Sequence, residues 1–162
     1  MTPSPKICTC LWFDGSHDAE AAAALYCSLI PGSDITAVSR YGKGAPMPEG
    51  SPMVVKFHLA GVPYMLLNGG PYYKLTAAAS IVVEVSTQAE IDHLWSALTA
   101  DGGKELQCGW LTDRYGVSWQ IVPAQLGAWM TNPDRAISQR VMTAFMAMKK
   151  FDIAALERAA KG

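Results

Sequence analysis

The sequence predicts an α+β fold in which two similar strand–helix–three-strand modules follow one another, with helices at the C-terminal end. The first observation is a repeat, because residues 61–68 and 116–123 both begin with Gly-Val, place an aromatic residue two positions later and close on an apolar run. The second is an amphipathic helix pattern before each copy. Its apolar positions have the same spacing in both halves: Leu25, Tyr26 and Leu29, then Leu94, Trp95 and Leu98. Paired modules usually enclose a shared cleft, so small-molecule binding is the first functional hypothesis.

The first module is predicted over residues 7–71. Its elements are a strand at 7–13, a helix that ends at 29, a strand at 35–41, a Gly/Pro-rich loop at 42–52 and hairpin strands at 54–59 and 64–68. Ser16 or Asp18 caps the helix and Pro31-Gly32 ends it. Ala60-Gly61 forms the hairpin turn.

The second module repeats this order over residues 79–123. Its strands are predicted at 80–85, 106–113 and 117–122, with a turn at 114–116. The segment Thr87-Gln88-Ala89-Glu90 is a capping box that opens the helix, and Asp101-Gly102-Gly103 closes it.

A helical tail is predicted over residues 132–160. Asn132-Pro133-Asp134 reads as a helix start, and Asp152 caps a last short helix through Leu156. The first tail helix has an apolar stripe: Ile137, Val141, Ala144, Phe145 and Met148. We expect this stripe to serve core packing or a subunit contact; an adaptable groove built from Met142, Met146 and Met148 is the alternative.

The composition excludes several classes of partner. The chain has 162 residues, half of them apolar, which suffices for one domain over 1–162 whose core needs no metal or disulfide. The net charge is -1 and residues of both signs are scattered along the chain, so the sequence has no basic cluster of the kind that binds nucleic acid or an anionic membrane. Residues 1–6 lack the apolar segment of a signal peptide, and no window approaches the ~20 apolar residues of a membrane span. We therefore expect a cytoplasmic protein.

The cysteines fit a reducing environment. The four of them form no C-x-x-C pair and lie mostly in apolar stretches: Cys8, Cys10, Cys27 and Cys108. This pattern predicts reduced, buried thiols and disfavours a disulfide framework or a zinc ribbon.

Five stretches carry a family resemblance: residues 10–15, 67–71, 108–111, 113–120 and 148–153. They resemble the PhnB-like branch of the vicinal oxygen chelate superfamily, which includes glyoxalase I, extradiol dioxygenases and bleomycin resistance proteins. The resemblance implies a glyoxalase-like fold, in which two tandem βαβββ modules form a curved mixed sheet, and it favours a homodimer. Members of this branch often carry the label 3-demethylubiquinone-9 3-methyltransferase. No strand here precedes the G-x-G-type turn that would hold a nucleoside, so we expect no such cofactor.

The resemblance also implies a place for a metal. Metal-using relatives take His, Glu or Gln ligands from the first and last strands of each module. The matching positions are Met65 and Gln120 on the closing strands, and Cys8 and Ser80 on the opening strands with the register open. Since Met and Ser are poor ligands for divalent nickel, zinc, iron or manganese, we expect no chelate-type metal centre. The histidines are expected to be surface or strand residues: His17, His58 and His93.

Side-chain alternation identifies the lining of the predicted cleft. The candidate ligand-binding residues are Trp12, Met65, Asn68, Glu84, Trp110 and Gln120. Gln120 is the strongest candidate, because an amide in an apolar strand needs a hydrogen-bond partner. Glu84 is the candidate catalytic residue, since a buried carboxylate suits proton abstraction; a carboxylate at a sheet edge or in a solvated pair is the alternative.

Two functional hypotheses follow from different classes. The first is a metal-independent module that binds a small, partly aromatic molecule, as the resistance-protein branch of the superfamily does. The second is an enzyme of lyase, isomerase or dioxygenase type. A homodimer whose cleft is filled by its own side chains is a third possibility, and the fold alone does not choose among them.

Overall fold

The computed structural model describes residues 6–162, which form two compact units divided between Leu75 and Thr76. Each unit contains a four-stranded mixed sheet, and the α+β fold class is confirmed. The N-terminal segment used to predict the cellular location lies mostly outside the described residues. No helix within 6–162 has the length and apolar character needed to cross a membrane.

The first unit contains one helix and four strands. They are β1 (Thr9–Phe13), α1 (Ala19–Leu29), β2 (Asp34–Arg40), β3 (Pro52–Leu59) and β4 (Val62–Asn68). The sheet order is β1-β4-β3-β2, and β1 runs parallel to β4. Asp18 caps α1 through the backbone amides of Glu20 and Ala21, while Ala60 and Gly61 both adopt positive φ in the hairpin turn.

The second unit repeats this topology and adds helices. Its elements are β5 (Ile81–Val85), α2 (Gln88–Thr99), β6 (Lys104–Glu105), β7 (Trp110–Thr112), β8 (Ser118–Pro123), α3 (Leu126–Met130), α4 (Arg135–Met146) and α5 (Ile153–Lys161). The sheet order is β5-β8-β7-β6, with β5 parallel to β8. The predicted capping box is present, because the Thr87 hydroxyl accepts from the Glu90 amide while the Glu90 carboxylate accepts from Thr87.

The predicted strand at 106–113 is wrong. Only Trp110–Thr112 pairs as β7, because Cys108 and Gly109 both adopt positive φ and leave the extended conformation. Their amides instead donate to the carbonyls of Met148 and Lys149, at 2.8 and 2.7 Å. A turn between β6 and β7, whose amides also bond to the distant C-terminal segment, therefore replaces the continuous strand that the local sequence favours.

The C-terminal segment is anchored to the second unit by Gln88. Its amide nitrogen donates to the Phe151 carbonyl at 3.0 Å, and its amide oxygen accepts from the Ile153 amide at 2.9 Å. Phe151 is buried against Gly109, where an added Cβ would overlap the ring. The sequence did not predict α3, and α5 extends beyond the predicted end at Leu156.

The prediction of four buried cysteines is wrong for Cys8 and Cys10. Both are exposed, whereas Cys27 and Cys108 are half-buried, and all four thiols are free. Cys10 lies in β1, an edge strand of the first sheet, and Cys8 directly precedes this strand.

Candidate functional site

Each sheet has a face packed under its helix and an opposite face that we call the open face. In β1, Leu11 and Phe13 are buried and Trp12 is half-exposed; in β5, Ile81 and Val85 are buried. The predicted alternation in these strands is confirmed, and it fixes which side chains belong to each open face.

On the first open face, Met65 lies between Cys10 and Lys56. The parallel pairing of β1 with β4 sets Cys10 beside Met65, and the antiparallel pairing of β3 with β4 sets Lys56 on the other side. Met65 is half-buried, and Lys56 and Cys10 are exposed. Burial raises the pKa of the Cys10 thiol, and the neighbouring Cys8 raises it further.

Trp12 is held in place by its own unit. Its indole Nε1 donates to the Gly70 carbonyl at 2.8 Å, and its ring packs against Gly69, where an added Cβ would overlap it. Tyr73 meets the ring edge-on, with centroids 5.0 Å apart. The Gly-Gly turn after β4 therefore serves to seat an aromatic side chain.

Asn68 lies on the helix-facing side of the sheet, so alternation separates it from Trp12 and Met65. It is 4% exposed, and its amide nitrogen donates to the Pro52 carbonyl at 3.2 Å. Its amide oxygen has no hydrogen-bond partner among the described residues and faces Gly15.

On the second open face, Gln120 lies between Val82 and Trp110. The pairing of β8 with β5 on one side and with β7 on the other fixes this row. The Gln120 amide nitrogen donates to the Ser80 hydroxyl at 2.9 Å, which orients the amide. Neither the Gln120 amide oxygen nor the Trp110 indole N–H has a hydrogen-bond partner within the described part of the chain. Two neighbouring residues of an otherwise apolar row thus each carry a polar group without a hydrogen-bond partner in the described part of the chain.

Glu84 belongs to the same open face, opposite Val122, and it is exposed. It lacks the burial that the general-base hypothesis requires. The structure therefore places Glu84 in the solvated situation given as the alternative.

A buried carboxylate that the sequence did not single out organises the turn after β7. Asp113 is 3% exposed and accepts from the backbone amides of Tyr115 and Val117 and from the Trp119 indole, at 2.8, 3.0 and 2.8 Å. An Asp before a turn commonly accepts from the backbone amides of that turn, so the local sequence could have indicated this part of its role. Nothing in the local sequence indicates that the Trp119 indole is the third donor. These contacts assign Asp113 to the fold of the second unit.

The residues at the superfamily's metal-binding strand positions do not fit a divalent metal. Gln120 directs its amide nitrogen to Ser80, and the equivalent positions in the first unit carry sulfur. No three His, Cys, Asp or Glu side chains within residues 6–162 are grouped as metal ligands. Amide, hydroxyl and thioether groups are poor ligands for Mn²⁺ or Zn²⁺, and the Cys8 thiol alone does not complete the ligand set of a zinc site.

The Gly-Gly turn after β4 does not lead into a helix. After β4 ends at Asn68 the chain passes through turns to β5. This turn therefore differs from the phosphate-binding turns of nucleotide sites, in which a helix begins directly after the strand.

Comparison with known proteins places the chain in a family. The sequence model of the 3-demethylubiquinone-9 3-methyltransferase family matches residues 5–122. The PhnB protein from Bacillus cereus is 36% identical, with a TM-score of 0.67, over 74% of this chain and 100% of that one.

More distant structures share the fold. A protein from Pseudomonas aeruginosa is 24% identical, with a TM-score of 0.60 over 74% of this chain and 98% of its own. The fosfomycin resistance protein FosX from Listeria monocytogenes, in a complex with Mn(II) and sulfate, is 14% identical, with a TM-score of 0.52 over 74% and 92%. No curated protein matches the sequence. This chain belongs to the 3-demethylubiquinone-9 3-methyltransferase family, the PhnB-like branch of the vicinal oxygen chelate superfamily.

Proposed function

We propose that the protein binds a small, partly aromatic molecule on the open face of the second unit and needs no divalent metal to do so. The observation that carries this proposal is the row of Val82, Gln120 and Trp110, with an oriented amide oxygen and an indole N–H that lack protein partners within the described residues. Half-buried polar groups of this kind are normally satisfied by a ligand or by water.

The chemistry of the row favours a planar ligand with one donor and one acceptor. The Trp110 ring offers a stacking surface, and its N–H donates, while the Gln120 oxygen accepts. Val82 supplies an apolar wall on the other side of Gln120 and is 52% exposed. No cationic side chain occupies the row, so a neutral ligand suits it better than a phosphate.

In the first unit, the predicted ligand contacts belong to that unit's own open face. Trp12 already donates its indole N–H to Gly70 and packs on Gly69, so only its edge and Met65 remain for a ligand. Asn68 faces the opposite side of its sheet. Trp12 and Met65 are proposed as apolar contacts for a ligand on the open face of the first unit alone.

The test is a screen of quinone-like, phenolic and heteroaromatic compounds by ligand-detected NMR in the presence of EDTA, followed by titration of the hits. Gln120→Met places at this position the residue that the first unit carries at the equivalent point. We expect it, like Trp110→Leu, to weaken binding at least about tenfold through loss of an oriented hydrogen bond or a stacking surface.

Two variants complete the design. Gln107→Met changes an exposed glutamine and should leave affinity unchanged. Glu84→Gln tests a contribution of the carboxylate, which we expect to be small. Hits whose affinity is the same in wild type and Gln120→Met, or which bind only after Mn²⁺ is added, contradict the proposal.

We also propose that the chain forms a homodimer, as the apolar tail led us to expect. Met142 and Met146 on α4 are 45% and 60% exposed, a degree of exposure that a subunit contact would reduce. Analytical ultracentrifugation at micromolar concentration should give twice the chain mass, and Met146→Glu should shift it toward the monomer. A monomeric wild type would reject this proposal without affecting the ligand proposal.

A further inference from the structure

We propose that Cys8, Cys10 and Met65 on the open face of the first unit form a binding site for a soft monovalent cation of the copper(I) class. This proposal does not rest on the ligand proposed for Gln120 and Trp110, because it uses sulfur ligands of the first unit, although Met65 is also a proposed ligand contact there. Thiolate and thioether sulfur are the ligands that copper(I) prefers over the oxygen and nitrogen ligands of divalent metals.

The pairing of the strands brings the three sulfur atoms to one face. Cys10 lies in β1 and Cys8 directly precedes this strand, so a continuation of the strand alternation puts both side chains on the same side. Cys10 is paired with Met65 across β1 and β4. The electrostatic effect of Cys8 on Cys10 is consistent with this proximity.

The second unit provides an internal measure of how close Cys8 and Met65 lie. Tyr64 pairs with Thr9 in the first unit as Trp119 pairs with Ile81 in the second, so Met65 and Cys8 correspond to Gln120 and Ser80. Gln120 and Ser80 are in hydrogen-bond contact at 2.9 Å. The same backbone relation therefore allows the Met65 thioether and the Cys8 thiol to reach a common ion.

The charge around the site fits the complex that would form. Binding replaces two thiol protons, so that Cu⁺ and two thiols give a bis-thiolate complex of charge -1 and release two protons, with no change of oxidation state. Lys56 lies directly across from Met65 and forms no ion pair with any described residue. Its ammonium group is placed to balance the negative complex.

The two thiols of the proposed site are also accessible to an ion from solvent. Cys8 and Cys10 are exposed and free, whereas Cys27 is half-buried with its thiol directed to the His58 carbonyl at 3.8 Å. Cys108 contacts the Met146 sulfur at 3.7 Å, but a single thiol and a thioether make a weaker set than two thiols with a thioether.

The experiment titrates reduced protein, without oxygen, against the copper(I)–bicinchoninate complex and follows the loss of its colour. Wild type should withdraw one equivalent of copper(I) and release two protons in weak buffer. Cys8→Ser and Cys10→Ser should each weaken binding at least about 100-fold, and Met65→Leu about tenfold, because each removes a sulfur ligand.

Cys27→Ser and Cys108→Ser are the matched controls and should bind like wild type. Near-ultraviolet circular dichroism of every variant checks that the fold is retained. The proposal is overturned by a wild type that withdraws no copper, by a Cys8→Ser/Cys10→Ser double variant that still binds one equivalent, or by loss of binding in the Cys27→Ser control.

Discussion

The two units share one strand order but fill it with different chemistry. The open-face row Cys10, Met65 and Lys56 of the first unit corresponds to Val82, Gln120 and Trp110 of the second. One row is sulfur next to a cation, and the other is an amide between apolar and aromatic side chains. Backbone pairing thus fixes where these positions lie, while the residue types decide whether each row suits a soft ion or a planar organic ligand.

The hairpin turns differ as well. In the first unit a two-residue turn joins Leu59 to Val62, and Leu59 is buried among apolar neighbours. In the second unit the position of Leu59 is taken by Asp113, which satisfies the amides of a longer turn and the Trp119 indole. The two units stabilise equivalent turns by apolar burial in one case and by a buried hydrogen-bond network in the other.

The C-terminal segment gives the second unit a constraint that the first does not have. Gly109→Ala should lower the free energy of unfolding by about 3–5 kcal/mol, because its Cβ would meet the Phe151 ring and the Ile121 oxygen, the latter at 2.9 Å, at a φ of +79°. Gly61→Ala and Gly116→Ala, at similar φ but with open space, should lose only about 1–2 kcal/mol. Urea unfolding measures all three, and equal losses would contradict the packing argument.

The comparison of the two turns is tested by replacing Asp113 with the residue type found at the equivalent position of the first unit. Asp113→Leu introduces the first unit's residue and should cost about 2–3 kcal/mol, because two backbone amides and the Trp119 indole lose their acceptor in a buried place. Asp113→Asn keeps an acceptor and should cost less. Thermal unfolding orders the variants, and the same melting temperature for both would show that the network is not the source of stability.

Anchoring of the C-terminal segment is a third, smaller difference. Gln88→Ala should cost about 1–2 kcal/mol through the lost hydrogen bonds to Phe151 and Ile153. Hydrogen exchange should show faster exchange of the Ile153 amide, with the amides of β3 unaffected. Gln107→Ala, at an exposed position without such bonds, is the control; faster exchange in it would point to a nonspecific effect.

The smallest effect concerns an exposed ion pair of the second unit. Hydrogen bonds from Lys150 and then Gln88 lower the pKa of Asp92. A carboxyl group with a lowered folded-state pKa contributes stability above its ordinary pKa, and this contribution is lost as pH falls through the folded-state value. The free energy of unfolding of the wild type should therefore exceed that of Asp92→Asn by less than about 1 kcal/mol at neutral pH, and the two should be equal in strong acid. Urea unfolding at both pH values measures this difference. A difference that grows on acidification would reverse this assignment.

Much of the fold could be predicted from local patterns. The repeated Gly-Val-x-aromatic segment, the Asp18 cap and the Thr87–Glu90 capping box correctly marked the hairpins and helices, because their signals are contained within a few residues. Strand alternation likewise assigned Trp12 and Gln120 to the less buried face of their strands. Their proposed binding roles remain predictions.

Only the tertiary structure decided the features that depend on distant chain segments. The carbonyls of Met148 and Lys149 accept from the amides of Cys108 and Gly109 in the turn between β6 and β7, and the first-unit register brings Cys10 beside Met65. The sequence by itself determined the two modules and their helices, since periodicity and capping are local. Pairing partners, the exposure of Cys8 and Cys10 and the unused groups of Gln120 and Trp110 depend on long-range packing, which local propensity does not encode.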